Sequence, residues 1–381
     1  MHTNCYLSPN VITQMLKTIN MESNYFAIFL THHLYYIPQF EPIANELRKR
    51  NKKIKFLLMG LDSPDKNKIA FDYCKENGYD PQFYNKEDEA LSCEYLINGS
   101  HGFPQDININ YNTSASVIHG IGTKAGYYTE ELNKHDIRFI EGSQRVEMLK
   151  EMFPKTKCKL LNVGFAKLDE AFKISDNDKV NMVKSLELDP LKKTILYAPT
   201  FYPSSIDNMP KDFPKDFTNY NIIIKPHFFS FEKKKYKHQV RKFNAWEQYN
   251  NVYLARADKF NLVPFMTISD IMVSDESSAI FEFAALDKPV IFNQDVKYRL
   301  TYRIFKSKIR KRMDGQMSPF KEVAQVIDNY SQLQSIIEDE IHNPQNKKEE
   351  RKKISEQIVG ISDGHVSERI ADIMEKYNLN K

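Results

Sequence analysis

The 381-residue chain is short of several things, and each shortage closes off a class of protein. Its four cysteines, Cys5, Cys74, Cys93 and Cys158, are scattered and form no CxxC pair. That spacing argues against a disulfide framework or a zinc site and for a reducing compartment. Glycine occurs 12 times, so no glycine-rich phosphate loop dominates. No apolar run approaches the roughly 20 residues that a membrane span needs. The first residues carry no long apolar segment of the secretory kind, and the expected location is cytoplasmic. Charge of one sign is missing too. Lys and Arg number 54 against 50 Asp and Glu, and the resulting +4 is too mild to imply nucleic acid.

What is present is globular. Hydrophobic residues make up 41% of the chain, enough for well-buried cores, and the length suits two domains. The basic residues cluster, in FEKKKYKHQVRK over 231–242 and KSKIRKR over 306–312. Each run suits anionic lipid headgroups or a phosphate-rich polymer, and each reads equally as a solvated basic face.

Apolar runs and helical patterns alternate along the chain. Residues 1–20 carry a short amphipathic pattern. Tyr25–Leu30, Ile54–Met59, Ala115–His119, Ile137–Ile140 and Lys159–Val163 read as strands. Helices are expected over Phe40–Arg50, Lys66–Asn77 and from an N-cap at Ser143 to Met152. The polar stretch Phe172–Lys192 suits an interdomain connection. A second series of strands follows at Thr194–Ala198, Ile222–Ile224, Val252–Ala255, Ile271–Val273 and Val290–Phe292. This alternation predicts an α/β protein with two parallel sheets covered by helices. The expected division is an acceptor-side Rossmann-like domain over 1–180, a nucleotide-binding one over 181–340, and C-terminal helices over 341–381 packing back toward the first.

In such sheets ligands sit beyond the carboxyl ends of the strands, and the polar punctuation falls there. Val273 leads into Asp275-Glu276-Ser277-Ser278, which places both serines at a helix N-terminus suited to phosphate. Glu276 suits ribose hydroxyls. Ile224 leads into Lys225-Pro226-His227, where a lysine and an imidazole can hold a diphosphate and stabilise a departing phosphate. Ile118 leads into His119-Gly120 and on to Lys124. His119 is placed to act as general base, Gly120 allows close backbone approach, and Lys124 adds positive charge. Thr200, after Pro199, can donate to a phosphate oxygen or simply form a turn. Lys167, in Gly164-Phe165-Ala166-Lys167-Leu168-Asp169, lies near the acceptor or the hinge, and Asp169 suits a helix cap. His32, His33 and His101 are further histidines at strand ends. No residue set suggests a metal or a cofactor.

The blocks Ile195–Thr200, Ile224–His227, Asp270–Phe292 and His119-Gly120…Lys124, in that spacing, resemble the CDP-glycerol glycerophosphotransferase family of teichoic-acid and capsule polymerases and primases. The resemblance covers roughly residues 115–295 and implies a GT-B architecture. It also implies a transferase that moves a polyol phosphate, glycerol phosphate above all, from a CDP-polyol to a hydroxyl acceptor and releases CMP. The acceptor would be phosphate-rich or a glycan, with peripheral contact to an anionic membrane at the inner face of the plasma membrane. The family's essential histidines fall on His119 and His227, and its phosphate-contacting serines on Ser277 and Ser278. The family's Asp-Tyr-Ser-Ser appears here as Asp275-Glu276-Ser277-Ser278, and its Gly-x-Pro-Arg-x-Asp as Gly164–Asp169. These departures bear on which polyol and acceptor are read. The rival reading is a GT-B glycosyltransferase using a nucleotide sugar, which would release a nucleoside diphosphate instead.

Overall fold

The computed structural model describes residues 24–61, 63–121, 125–298 and 318–378. The amphipathic pattern over 1–20, the basic run 306–312 and Lys124 lie outside them. Thirteen strands form two wholly parallel sheets among these residues. The first contains β1 (Tyr25–Thr31), β2 (Ile54–Leu58), β3 (Pro81–Phe83), β4 (Leu91–Asn98), β5 (Ile109–Val117), β6 (Ile137–Ile140) and β7 (Lys159–Asn162), in the order β3-β2-β1-β4-β5-β6-β7. The second contains β8 (Thr194–Tyr197), β9 (Asn221–Ile224), β10 (Val252–Leu254), β11 (Ile271–Ser274), β12 (Val290–Asn293) and β13 (Gln325–Ile327), in the order β10-β9-β8-β11-β12-β13. The inner strands are buried on both faces, which is why Ile28, Phe29, Leu30 and Ile222, Ile223, Ile224 form unbroken apolar runs. Helices fill the crossovers, so each sheet is a Rossmann-like lobe.

Three strands escaped the sequence pattern. β4 is central, yet it reads Leu-Ser-Cys-Glu-Tyr-Leu-Ile-Asn, and its polar residues break the run. β3 and β13 are three-residue edges. β5 starts six residues before the expected Ala115, through Thr113, Ser114 and Ser116, all buried. The helix at Ser143–Met152 is capped at Gly142, with Ser143 as its first residue. The stretch expected to be a plain connection contains a helix, Asp176–Ser185, whose Ser175 cap accepts from the Asp178 N–H.

The C-terminal helices tie the lobes together. Lys348–Ile358 buries Ile354 and Ile358 in the second lobe's core. The chain then turns at Gly360, with φ +81 and the Glu141 carbonyl oxygen 1.9 Å from where a Cβ would sit, so no larger residue fits. The helix Val366–Asn378 buries Val366, Ile370 and Met374 in the first lobe's core. Asp169 anchors its start, accepting from the Val366 and Ser367 N–H groups at 3.1 and 2.7 Å. Arg50 reaches Asp372 and Glu375 at 2.6 and 2.9 Å. No helix among the described residues is long and apolar enough to cross a membrane.

Candidate active site

Strand order reverses between β1 and β4 in one sheet and between β8 and β11 in the other. Crevices open at such points, and the loops that follow these strands carry the candidate residues. In the first lobe the loops after β1, β4 and β5 bring Tyr35, Tyr36, His101 and His119 together. The His119 ring stacks on Tyr36 at 4.7 Å and packs against Tyr35 at 4.6 Å and His101 at 5.5 Å between centroids. Its Nδ1 lies 3.4 Å from the Gly99 carbonyl oxygen. A carbonyl only accepts, so in this contact Nδ1 carries the proton of the neutral ring.

Gly120 is needed beside it, since a Cβ there would lie 2.1 Å from the Tyr127 hydroxyl. Beneath, the guanidinium of Arg145 lies 4.5 Å from the centre of the Tyr127 ring and pairs with Glu141 at 2.7 Å, both side chains buried. Arg145 also donates to the Gly120 carbonyl at 3.5 Å. This buried pair supports the His119 loop from below.

In the second lobe Pro226 carries the chain out of β9 and leaves His227 half-buried between Phe201 and Phe228, at 4.8 and 4.6 Å. Here the pattern inverts. The Phe229 N–H donates to His227 Nδ1 at 3.2 Å, so the neutral ring carries its proton on Nε2. Tyr35, packed on His119, and Phe228, packed on His227, stack on each other across the lobe boundary at 5.9 Å. Lys66 reinforces the contact, paired with Glu232 at 3.0 Å and 4.8 Å from the Phe228 ring centre.

The serine turn is held by Asp275, which sequence reasoning passed over as part of an acidic turn. Its carboxylate is fully buried and accepts from the N–H of Thr200 at 2.6 Å, and from the N–H and hydroxyl of Ser205, both at 2.9 Å. One group thus joins the loop after β8 to the turn after β11. Burial pushes the Asp275 carboxyl up to about 6 against the pull of these donors. Ser277 Oγ accepts from the Ala279 N–H at 3.3 Å, while Ser278 precedes the six-residue helix Ala279–Ala284 without a side-chain cap bond. Glu276, Ser277 and Ser278 are all half-buried.

Lys167 and Lys225 approach from opposite lobes. Lys167 pairs with Glu282 at 2.7 Å, mostly buried. Lys225 is 9% exposed, and burial, with Lys167 adding like charge, lowers its ammonium to about 8. Its charged form is therefore disfavoured in the folded state, and stability from this group rises as pH climbs from about 8 toward 10.5. At pH 7 the penalty is up to about 3 kcal/mol. We expect Lys225→Met to raise stability at pH 7 by about 1–3 kcal/mol in chemical denaturation, with the advantage shrinking above pH 8. A variant less stable at pH 7 would show that the ammonium is held by partners rather than stranded. Among the described residues no group of three or more His, Cys, Asp or Glu converges as metal ligands would.

Two parallel α/β lobes, with the histidines, lysines and serine turn on loops that follow strand ends, give the protein a GT-B architecture. The chain belongs to the CDP-glycerol:poly(glycerophosphate) glycerophosphotransferase family, whose model matches residues 122–376. It is 28% identical over 156 residues to a teichoic acid glycerol-phosphate primase of Bacillus spizizenii, covering 41% of this chain and 39% of that protein. It is 24% identical over 276 residues to a teichoic acid glycerol-phosphate transferase of Staphylococcus aureus, covering 67% and 65%. The chain thus spans about two fifths of the length of the Bacillus relative. A variant of the wall teichoic acid polymerase TagF superposes with a TM-score of 0.66 at 15% identity, over 94% of this chain and 90% of that one, which establishes the GT-B fold.

Proposed function

We propose that the protein transfers glycerol phosphate from CDP-glycerol to a hydroxyl acceptor of a bacterial surface polymer and releases CMP. The observation that carries this is the opposed protonation of the two histidines. In this reading His119, whose Nδ1 faces the Gly99 carbonyl, acts as base through Nε2, and His227, whose Nδ1 accepts from the Phe229 N–H, acts as donor through Nε2. The acceptor hydroxyl gives its proton to His119 Nε2, and its oxygen forms the new bond to the β-phosphorus. The bond from that phosphorus to the bridging oxygen breaks, and its electron pair leaves with CMP. His227 Nε2–H, the Ser277 and Ser278 hydroxyls, the Thr200 hydroxyl and the ammonium of Lys225 are the groups available to hold the diphosphate and the developing charge. Glu276 is assigned to the ribose, and Lys124 and Lys167 to the acceptor side.

In this reading residues 1–180 serve the acceptor, 181–340 the nucleotide, and 341–381 fix the two relative to each other. The protein works at the inner face of the plasma membrane, with peripheral contact to anionic lipid that retention on anionic vesicles checks. Incubation with CDP-glycerol, CDP-ribitol and nucleotide sugars tests the chemistry. CMP release from CDP-glycerol in the presence of acceptor is expected. Release of a nucleoside diphosphate from a nucleotide sugar would replace this reading with glycosyl transfer.

A further inference from the structure

A cavity of about 660 Å³ opens among the loops after β8, β9 and β12 and the helix Lys237–Trp246. Its lining includes Lys211, Lys235, Arg241, Lys242 and Lys297, against one carboxylate, Asp207. Asp207 is taken by His238 at 2.8 Å. Lys242 is structural: its ammonium donates to the carbonyls of Ile206, Asp207 and Met209 at 2.8, 2.9 and 2.6 Å, closing the loop that forms one wall. The other four cations are exposed and have no carboxylate within ion-pairing distance among the described residues. Burial lowers the Lys242 ammonium, and Lys211 and Lys297 add like charge to it against the pull of Asp207. Like charges held together without counter-charges cost free energy, which a bound anion relieves.

The cavity adjoins the candidate site on two sides. Tyr236 in its lining packs against Phe201 at 5.7 Å, and Phe201 against His227 at 4.8 Å. Tyr298, also in the lining, lies within electrostatic reach of Glu276 in the serine turn. We propose that this cavity is a subsite for a phosphodiester chain, in which Lys211, Lys235, Arg241 and Lys297, on the nucleotide-side lobe, hold phosphates along the acceptor polymer while its reacting hydroxyl is taken up on the acceptor-side lobe at His119. The proposal rests on the transfer reading above for the identity of the polymer, but not for the anionic chemistry of the site. The occupant is a chain rather than one small anion. The four cations ring a space of the size that takes a drug-sized ligand, about 300–1,000 Å³, and spaced phosphates match spaced cations. A neutral glycan would leave all four charges unanswered.

The test is binding of a labelled, synthetic glycerol-phosphate oligomer to the full chain, read by fluorescence anisotropy at several salt concentrations. Replacing Lys211, Lys235, Arg241 and Lys297 together by serine is expected to weaken binding at least about tenfold and to flatten its salt dependence, as fewer counterions are released. CDP-glycerol affinity is expected to stay within about twofold, since none of the four belongs to the donor site. Should the fourfold variant misfold, Arg241→Ser and Lys297→Ser singly carry the same expectation at about threefold each. Unchanged oligomer affinity would overturn the proposal. So would an unchanged oligomer affinity alongside lost binding to phosphatidylglycerol vesicles, which would assign the charges to lipid. If neither protein turns over CDP-glycerol yet the oligomer still loses affinity, the subsite stands and the transfer reading falls.

Discussion

Alanine at His119 is expected to cut turnover of CDP-glycerol by about 100-fold or more, and alanine at His227 by a similar factor. A 100-fold loss corresponds to about 2.7 kcal/mol of transition-state stabilisation, within what one positioned proton-transfer group supplies. The two losses should differ in character. If His119 Nε2 takes the proton of the nucleophile as proposed, His119→Ala should abolish the limb of the pH–rate profile on which a base must be unprotonated. His227 Nε2–H meets charge that develops on the departing phosphate, so His227→Ala should lower kcat and kcat/KM together with little change in donor affinity. His119 is also packed between Tyr35 and Tyr36, and truncating it leaves a void there. His119→Gln keeps most of the volume and separates lost packing from lost basicity. Purified variants that turn over at the wild-type rate would remove both assignments and leave the opposed tautomers as ordinary strand-end contacts.

Much of this arrangement is legible along the chain, for a physical reason. A buried parallel strand needs an unbroken apolar run, and its carboxyl end is where that run stops. The positions of His119, His227 and the Asp275–Ser278 turn follow directly. β4 was hidden because its polar residues answer to partners outside the sheet: Ser92 accepts from the Asn24 N–H and Asn98 donates to the Gly102 carbonyl. Those are tertiary partnerships with no local period. The aromatic surroundings of His119 were hidden for the same reason. Tyr35, Tyr36, His101 and Tyr127 come from three loops that only the sheet order β1-β4-β5 places side by side. His101 in particular has no mark in the sequence that separates it from a surface histidine. Lys167 and Glu282, 115 residues apart, meet only because the loop after β7 crosses to the second lobe. Residue types and strand ends locate a groove; which side chains close around the reacting atoms depends on how two sheets are apposed.

The groove also depends on a group that touches no reacting atom. Asp275→Ala is expected to destabilise the protein by about 3 kcal/mol at pH 7, because it orphans the N–H groups of Thr200 and Ser205 at roughly 1–3 kcal/mol each and leaves a void. Asn is a poor substitute. Its amide presents donors to a site that already supplies N–H and hydroxyl donors, so Asp275→Asn should recover at most about half of the loss. The pH dependence carries the distinguishing sign. The folded carboxyl, raised to about 6, binds its proton more tightly than the unfolded one near 3.9, so wild-type stability from this group is fullest below about pH 4 and is lost as pH rises through 6. The deficit of Asp275→Ala should therefore be about 1 kcal/mol larger at pH 5 than at pH 8, as measured by urea denaturation at both values. Equal deficits would mean that the donors from Thr200, Ser204 and Ser205 outweigh burial and keep the carboxylate charged throughout. Because the same carboxylate joins the loop bearing Thr200 to the turn bearing Ser277 and Ser278, the folded fraction of Asp275→Ala should also lose donor affinity. A loop no longer tied to the turn cannot present both to one diphosphate.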